Sequence, residues 1–329
     1  MNNKPFISVV VTAHDRKEFL LECLKSLINQ DLPKDFYEII VVKNFKDNSI
    51  DDFIEENNIK CFYTESINIG EKFLIGSEKS KGDVISIIND DDKFTKDKLS
   101  TIYDIFKNEK NLIYYHNSFI EIDKESKETG RNVKLRNINT DTSNIKIKLI
   151  KKALSGLNTF NDSCISIKKD IILKYRNELK NVAGNQDTIL FLLSLLNNGL
   201  IILDSKKLTY FRTHKSTSKM LDTNIEISIL KFNALVSRRI KSYESILDLF
   251  KHEKYFNTVS CLYMSNQLQL CLFTSMKKTD ILKLEIKFIR CPYYLSFITR
   301  IVLLILIMLR LMSSRLVKKY LSKIIFKYY

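Results

Sequence analysis

The sequence predicts an α/β fold in which helices cover both faces of a mostly parallel sheet, followed by a helical extension. Three observations predict it. Short apolar runs rich in Val and Ile alternate with amphipathic segments over the first hundred residues. The run Val84–Ile88 has the length and β-branched content of a buried parallel strand. From Leu221 to Lys287 the apolar residues recur at helical spacing, which indicates helices packed on the main domain.

The alternation places four strands and four helices in the amino-terminal part of the chain. In order they are strand Phe6–Thr12, helix Glu18–Asn29, strand Tyr37–Val42, helix Ile50–Glu56, strand Ile59–Tyr63, helix Glu71–Ser80, strand Val84–Ile88 and helix Thr95–Lys107. Leu112–Ile122 and Asn158–Ile167 predict two further strands, and the polar stretch Asp123–Asn144 between them predicts a long loop. The first strand is not followed by Gly-x-Gly-x-x-Gly, which argues against a nicotinamide dinucleotide fold.

Composition and charge limit the classes of function. A chain of 329 residues can form one α/β domain with an appendage or two modest domains. Its formal charge of +15 indicates an acidic partner such as nucleotide phosphates, nucleic acid or anionic lipid. The amino terminus enters a strand after five residues without a signal-peptide pattern, so we expect the catalytic part in the cytoplasm.

The six cysteines are far apart in the sequence and match neither a zinc motif nor a compact disulfide framework. They are Cys23, Cys61, Cys164, Cys261, Cys271 and Cys291. We therefore expect reduced and mostly buried thiols.

A carboxylate cluster follows the fourth predicted strand. Val84–Ile88 ends in Asn89, Asp90, Asp91 and Asp92, at the carboxyl end of a strand, where open α/β sheets bind ligands. Adjacent carboxylates repel each other and resist desolvation, so a cation or solvent must offset the cost. Oxygen ligands of this kind suit Mg²⁺ or Mn²⁺ with substrate phosphates. The other interpretation is a solvated turn that caps the next helix.

Three segments together resemble one known family. ISVVVTAHDRKEFLLECLKSLINQ resembles the opening strand and helix of the family-two nucleotide-sugar glycosyltransferases, SINIGEKFLIGSEKSKGDVI their Gly-containing helix, and INDDDKFTKDKL their Asp-x-Asp segment. The resemblance is nearly continuous over Ile7–Leu99. It implies a GT-A fold and metal-dependent transfer, with inversion, of a sugar from a nucleotide-diphosphate donor to a hydroxyl of a glycan or lipid-linked acceptor.

The resemblance also implies roles for individual residues. Thr12, Ala13 and Asp15 would line the base and ribose pocket, and Arg16 and Lys72 would lie near the donor. Asp90 and Asp92 would hold the metal and diphosphate. Asp91, in the middle of an extended triplet, should point away from its neighbours and contact ribose or only water. Asn44 is assigned to the donor site, although Lys43 and Asn44 stand where the family usually has acidic residues.

Two motifs in the second half of the sequence add candidate residues. The resemblance makes Asp187, in the pair Gln186-Asp187 at the start of an apolar helix, the catalytic base; the alternative is that it caps the helix. The segment YFRTHKS resembles the element that closes the family's catalytic domain, which would place His214 near the metal or diphosphate, with Arg212 and Lys215 as cationic partners of phosphate. A solvated surface histidine is the other interpretation.

The carboxyl-terminal tail combines apolar and basic residues. We divide the chain into a catalytic domain at 1–220, a helical extension at 221–290 and a membrane-associating tail at 291–329. Tyr293–Met312 has the length of a membrane span, but Arg300 and Arg310 interrupt it and leave the apolar core Ile301–Leu309 too short to cross alone. We expect an interfacial or re-entrant helix on anionic lipid at the cytoplasmic face. The alternative is a buried core helix.

These observations predict a membrane-associated inverting glycosyltransferase that uses Mg²⁺ or Mn²⁺. A catalytically inactive scaffold of the same fold is one alternative, suggested by Lys43-Asn44. A basic nucleic-acid-binding protein is another, but the acidic cluster and the apolar tail would have no role in it. We therefore expect no nucleic-acid partner.

Overall fold

The computed structural model describes residues 6–131, 137–154, 160–213, 225–274, 277–289, 305 and 307–308. The chain forms two compact units. The first consists of Met1–Leu149, Gly156–Asn181 and Gln186–His214; the second consists of Ile150–Ser155, Val182–Asn185 and Lys215–Tyr329. The predicted domain boundary at residue 220 falls outside the described residues.

The described residues contain nine strands and eleven α-helices. The strands are β1 (Ile7–Thr12), β2 (Tyr37–Lys43), β3 (Lys60–Tyr63), β4 (Val84–Asn89), β5 (Lys93–Phe94), β6 (Leu112–Ile122), β7 (Ile138–Asp141), β8 (Ile165–Lys168) and β9 (Leu200–Arg212). The helices are α1 (Leu20–Ile28), α2 (Asn48–Glu56), α3 (Ile69–Glu78), α4 (Lys98–Asn108), α5 (Ile147–Leu154), α6 (Lys169–Lys174), α7 (Arg176–Leu179), α8 (Gln186–Ser194), α9 (Ile225–Leu247), α10 (Phe256–Cys271) and α11 (Lys278–Ile289).

All nine strands join one mixed sheet in the first unit. The strand order is β3-β2-β1-β4-β8-β6-β9-β5, and β7 also pairs with β9. The first four strands in this order are mutually parallel, β6 and β9 are parallel, and β8, β5 and β7 pair antiparallel. This confirms the predicted α/β class with a mostly parallel sheet.

The centre of the sheet is buried because its strands consist almost wholly of β-branched residues. Every residue of β1 is buried, as are all residues of β4 except Asn89. Thr12 pairs with Val42 on one side and with Asn89 on the other, so β1, β2 and β4 end at the same level. The three segments that follow these strands therefore meet at one edge of the sheet.

Helix α3 lies close against this part of the sheet because of one glycine. A Cβ atom at Gly76 would overlap the Val10 side chain and press on Val42. Only glycine permits this approach, which brings Lys72, one turn earlier on the same helix, to the end of β1.

Several elements differ from the predictions. The predicted loop 123–144 contains β7, and the two-residue strand β5 was not predicted. The predicted strand Asn158–Ile167 is shorter, since residues 162–164 form a 3₁₀ turn before β8. Two short helices, α6 and α7, follow β8. Both β5 and β7 pair with β9, which is distant in the sequence, and periodicity within one segment does not report such pairing.

The second unit is helical in its described part, as predicted. Helices α9, α10 and α11 share a core that includes Phe232, Leu268, Ile281 and Phe288. Within the described residues, no helix has the length and apolar composition required to cross a membrane.

One prediction about the cysteines is wrong. Cys261, which is buried, is disulfide-bonded, whereas four other described cysteines are free: Cys23, Cys61, Cys164 and Cys271. Sequence spacing did not show this bond because cysteines that are distant in sequence can be adjacent in the fold.

Candidate active site

The segment after β1 forms one wall of the site. The backbone N–H of Ala13 donates to Val42, and that of His14 donates to the Asp90 carboxylate at 3.2 Å. Asp15 has a φ of 55°, a left-handed conformation that Asp tolerates better than most residues. This turn holds the segment against the end of β4.

Asp15 and Asn44 form a reciprocal pair across the ends of β1 and β2. The Asp15 N–H donates to Asn44 Oδ1 at 2.9 Å, and Asn44 Nδ2 donates to Asp15 Oδ1 at 2.6 Å. The Asp15 side chain is 72% exposed. The structure thus brings together two residues predicted for the donor pocket and leaves a carboxylate accessible beside them.

Lys43, the last residue of β2, is held by contacts within the fold. Lys43 is buried, and its Nζ donates to the Phe45 carbonyl at 2.6 Å and lies 2.7 Å from Asp51 Oδ1 on α2. Its charge is therefore already paired within the fold.

The aspartate triplet is a turn, not an extended segment. The Asp92 N–H donates to the Asn89 carbonyl at 3.3 Å, which closes the turn. As a result Asp90 and Asp91 face the same guanidinium: Arg16 donates to both, at 2.6 Å to Asp91. The expectation that Asp91 points away from its two neighbours is wrong, because alternation holds only in extended backbone.

Asp92 points away from Arg16 and is fully buried. Its Oδ1 accepts the Arg212 backbone N–H at 2.9 Å, and its Oδ2 accepts the Ser163 hydroxyl at 2.5 Å. Burial, and next the neighbouring Asp91 carboxylate, raise the pKa of Asp92 to about 8. Burial also raises the pKa of Asp90, to about 6, although Arg16 opposes the shift.

The buried Arg212 side chain stabilises the turn that the aspartate triplet forms. Its side chain is 0% exposed; Nε donates to the Asp91 carbonyl at 2.8 Å and Nη2 to Glu22 at 2.9 Å. Nη1 donates to the carbonyls of Asp123 and Lys124. The expectation that Arg212 serves phosphate oxygens is wrong, because all three guanidinium nitrogens already serve the protein.

Lys72 and His14 lie beneath the β1 segment. Lys72 Nζ donates to the Ala13 carbonyl at 2.7 Å and lies 2.7 Å from His14 Nδ1, while His14 Nε2 lies 3.2 Å from Asp15 Oδ2. Burial lowers the pKa of Lys72 to about 8. Lys72 thus lies next to the predicted donor residues. His14 was not predicted, although its position between Ala13 and Asp15 could have indicated it.

Asp187 is the second residue of α8 and approaches the same edge. Its Oδ1 accepts the N–H of Thr188, the next residue, at 2.5 Å. A second carboxyl, Asp162 in the turn before β8, lies near Asp187, Asn89 and Gln186: burial and then the charge of Asp187 raise its pKa well above the usual value, while contacts with Gln186 and Asn89 oppose the shift. Asp162 therefore lies near both Asp187 and Asn89, the last residue of β4.

Asp162 was missed by sequence reasoning. The sequence predicts a strand over the segment NDSC, and a single carboxylate within a strand is no local signal of a site. Asp162 Oδ1 and the polar atoms of the Gln186 side chain are shielded from solvent close to each other. A carboxyl whose pKa is raised by burial and by a second carboxylate is typical of a functional site.

The residues present fit a divalent ion that a substrate helps to hold. In the part of the chain that the structure describes, His, Cys, Asp and Glu side chains do not form a group of three suited to hold a metal. An ion of the Mg²⁺ type needs only one or two protein carboxylates when phosphates complete its shell. Asp90 and Asp91, whose carboxylates both contact the Arg16 guanidinium, provide two such groups. His214 and Lys215 lie outside the described residues.

The mostly parallel sheet with helices on both faces and carboxylates at one edge agrees with the predicted GT-A fold. The profile of glycosyl transferase family 2 matches residues 8–175, just over half of the chain. The chain belongs to this family.

Similar proteins agree with this assignment. An uncharacterized glycosyltransferase of Rickettsia bellii is 22% identical over 222 residues, which are 66% of this chain and 30% of that protein. The probable glycosyltransferase YdaM of Bacillus subtilis is 30% identical over 112 residues, 31% of this chain and 26% of that protein. The chain thus spans about a third or less of the length of these two relatives.

Solved structures show the same fold. The structure of S. aureus TarS residues 1–349 in complex with UDP-GlcNAc has a TM-score of 0.52 at 13% identity, and the match covers 86% of this chain and 83% of that TarS fragment. The complex of the same protein with UDP has a TM-score of 0.55 at 12% identity and covers 97% and 91%. At these identities the similarity establishes the fold alone.

Proposed function

We propose that this protein transfers a sugar, with inversion, from a nucleotide-diphosphate donor to a hydroxyl of a glycan or lipid-linked acceptor. The observation that carries the proposal is the meeting of two carboxylate groups at one sheet edge. The pair Asp90 and Asp91 lies after β4, and Asp162 couples that end electrostatically to Asp187 at the start of α8. Leaving-group stabilisation and proton acceptance need two such centres.

The base and ribose of the donor would bind against the segment that follows β1. Thr12, Ala13, Asp15 and Asn44 lie together there, and the exposed Asp15 carboxylate can accept hydrogen bonds from ribose hydroxyls. Asp15 thereby offers the acidic group that Lys43 and Asn44 do not provide. The fold shared with TarS, which was solved with UDP-GlcNAc, supports a nucleotide-sugar donor.

The diphosphate would lie against Asp90, Asp91 and Arg16. Members of the family commonly use a divalent metal. Bound Mg²⁺ or Mn²⁺ would neutralise the charge that develops on the leaving diphosphate. Arg16, which is 36% exposed, can turn its guanidinium from the two carboxylates to phosphate oxygens. Asp92 would act indirectly, because its hydrogen bonds to Ser163 and Arg212 hold the turn.

Asp187 would act as the base. In an inverting transfer the acceptor oxygen attacks the anomeric carbon as the bond to the diphosphate breaks, and its proton passes to a carboxylate on the side of the attack. The positive end of the α8 dipole favours the ionised form of a carboxylate at this position. One oxygen of Asp187 accepts the Thr188 N–H, which orients the group.

Titration calorimetry with a panel of nucleoside diphosphates tests donor binding. We expect binding in Mg²⁺ or Mn²⁺ that weakens at least roughly tenfold in chelator and in Asp91→Asn, the scale of one charge-assisted contact. Asp52→Asn removes an exposed carboxylate of α2 and serves as the matched control. Equal affinity with and without metal would contradict the metal role.

A binding protein without transfer activity is the second candidate. The observation that favours it is Lys43, which stands where the family usually has an acidic residue. Its charge is paired with Asp51. The two candidates differ in turnover: we expect the wild-type protein to release nucleoside diphosphate from the nucleotide sugar that it binds. Tight binding of the donor without release, in the presence of glycan and lipid acceptors, would support the inactive protein.

A further inference from the structure

The outer face of α11 carries an exposed apolar stripe. Leu282, Ile286 and Ile289 are 49%, 45% and 54% exposed. Their spacing of four and then three residues places them on one side of the helix. A contiguous exposed apolar surface of this kind is typical of a surface that docks on another molecule or on a membrane.

The opposite face of α11 is already packed, so the stripe is not part of the core. Ile281 and Phe288 are buried in the cluster that includes Phe232 and Leu268. Glu285 is also buried, with burial raising its pKa. The helix is therefore held by the second unit while its other side faces solvent.

The charges around the stripe are almost all positive. Four lysines of the segment 277–289 are exposed: Lys277, Lys278, Lys283 and Lys287. Asp280 is the exposed acidic residue of the same segment, since Glu285 is buried. An apolar stripe with lysines beside it is typical of a helix that lies in the interface of an anionic membrane. There the methylene chains of the lysines cover apolar surface and their ammonium groups reach the lipid headgroups.

A short part of the tail also has one buried side and one exposed side. Ile307 is 0% exposed and belongs to the same core cluster as Ile281 and Phe288, whereas Ile305 and Met308 are 52% and 53% exposed. The predicted apolar run Ile301–Leu309 thus has at least one residue in the core of the unit and two outside it.

We propose that the exposed face of α11 docks on an anionic lipid surface, with Leu282, Ile286 and Ile289 among the headgroups and the lysines against their negative charges. A second copy of the chain is a poorer occupant, because an isologous contact would bring the lysine-rich faces of two copies together. Anionic lipid is complementary to both the charge and the apolar stripe. The proposal uses none of the residues of the site after β4, so it stands independently of the donor chemistry.

Co-sedimentation of the full-length protein with phosphatidylcholine vesicles, with and without phosphatidylglycerol, tests the proposal. We expect binding that requires phosphatidylglycerol. Lys283→Gln combined with Lys287→Gln should reduce the partition coefficient roughly 25-fold, at about fivefold for each lysine near the surface. Leu282→Ser combined with Ile286→Ser should reduce it at least roughly tenfold through lost apolar burial.

Matched controls change similar residues of the first unit. Ile67→Ser removes an apolar side chain that is 78% exposed, and Lys110→Gln with Lys127→Gln removes two exposed lysines; neither should change partition by more than about twofold. Wild-type partition of the α11 variants, with unchanged melting temperature, would overturn the proposal. A concentration-dependent dimer that Ile286→Ser abolishes, without vesicle binding, would assign the face to a second copy and overturn it as well.

Discussion

Replacement of Asp92 by Asn should change the pH dependence of stability, because the carboxyl is buried behind the triplet. In the folded protein burial raises its pKa to about 8, whereas an unfolded aspartate has the ordinary value of 3.8. Between these values the folded state binds more protons at this position than the unfolded state. Stability therefore falls as the pH rises from about 4 to about 8.

The size of the effect follows from the one proton that Asp92 keeps in the folded state and loses in the unfolded state. Between pH 5 and pH 7 the folded chain retains about one proton that the unfolded chain has lost, and each pH unit then costs about 1.4 kcal/mol, so Asp92 lowers the free energy of unfolding by about 3 kcal/mol over this range. Asn has no titrating group but keeps an oxygen that can accept the Arg212 N–H. The difference in free energy of unfolding, variant minus wild type, should increase by this amount.

Urea unfolding at pH 5, 6 and 7 in the presence of chelator measures the difference. Chelator is needed because a bound divalent ion would favour the ionised carboxylates. Asp52→Asn, which removes an exposed carboxylate, should give a profile parallel to the wild type. If the profile of Asp92→Asn is also parallel to that of the wild type, Asp92 is not a buried, predominantly protonated carboxyl and the description of the triplet is wrong.

Three other substitutions test separate parts of the structure. Arg212→Met should lower the free energy of unfolding by about 3–5 kcal/mol in urea titrations, because the carbonyls of Asp91, Asp123 and Lys124 and the Glu22 carboxylate lose their buried donor. A loss below about 1 kcal/mol would show that the guanidinium does not stabilise the triplet. Gly76→Ala should cost about 1–3 kcal/mol by the same assay, since its Cβ overlaps Val10, whereas an unchanged stability would mean that α3 can move away from the sheet. Arg16→Met should tighten Mn²⁺ binding without nucleotide roughly tenfold, because the ion no longer competes with the guanidinium for Asp90 and Asp91; electron paramagnetic resonance of free Mn²⁺ measures this, and weaker binding would contradict the competition.

The parts of the fold that local pattern determines were predictable. The buried strands β1, β2 and β4 consist of β-branched runs, and the carboxyl end of β4 is marked by three aspartates, so the sheet edge could be located without coordinates. The family resemblance added Asp187, which no local pattern distinguishes from a helix cap.

The parts that distant contacts determine were not predictable. Asp92 binds Ser163 and Arg212, residues of two other strand regions, and these contacts turn it away from Asp90. Asp162 gains its significance only from its proximity to Asn89 and Asp187 in space. Such contacts depend on the register between strands that are far apart in sequence, and the sequence of one segment contains little information about it.

Turnover of Asp187→Asn is the most direct measurement of the central claim that this edge catalyses inverting transfer. Asn keeps the shape of the side chain but cannot accept the acceptor's proton, so we expect nucleoside diphosphate affinity within about twofold of the wild type and transfer reduced roughly 10²-fold or more. The control Asp52→Asn should retain both. Wild-type transfer by Asp187→Asn, measured under the same conditions as its nucleotide affinity, would contradict the assignment of the base and with it the proposed mechanism.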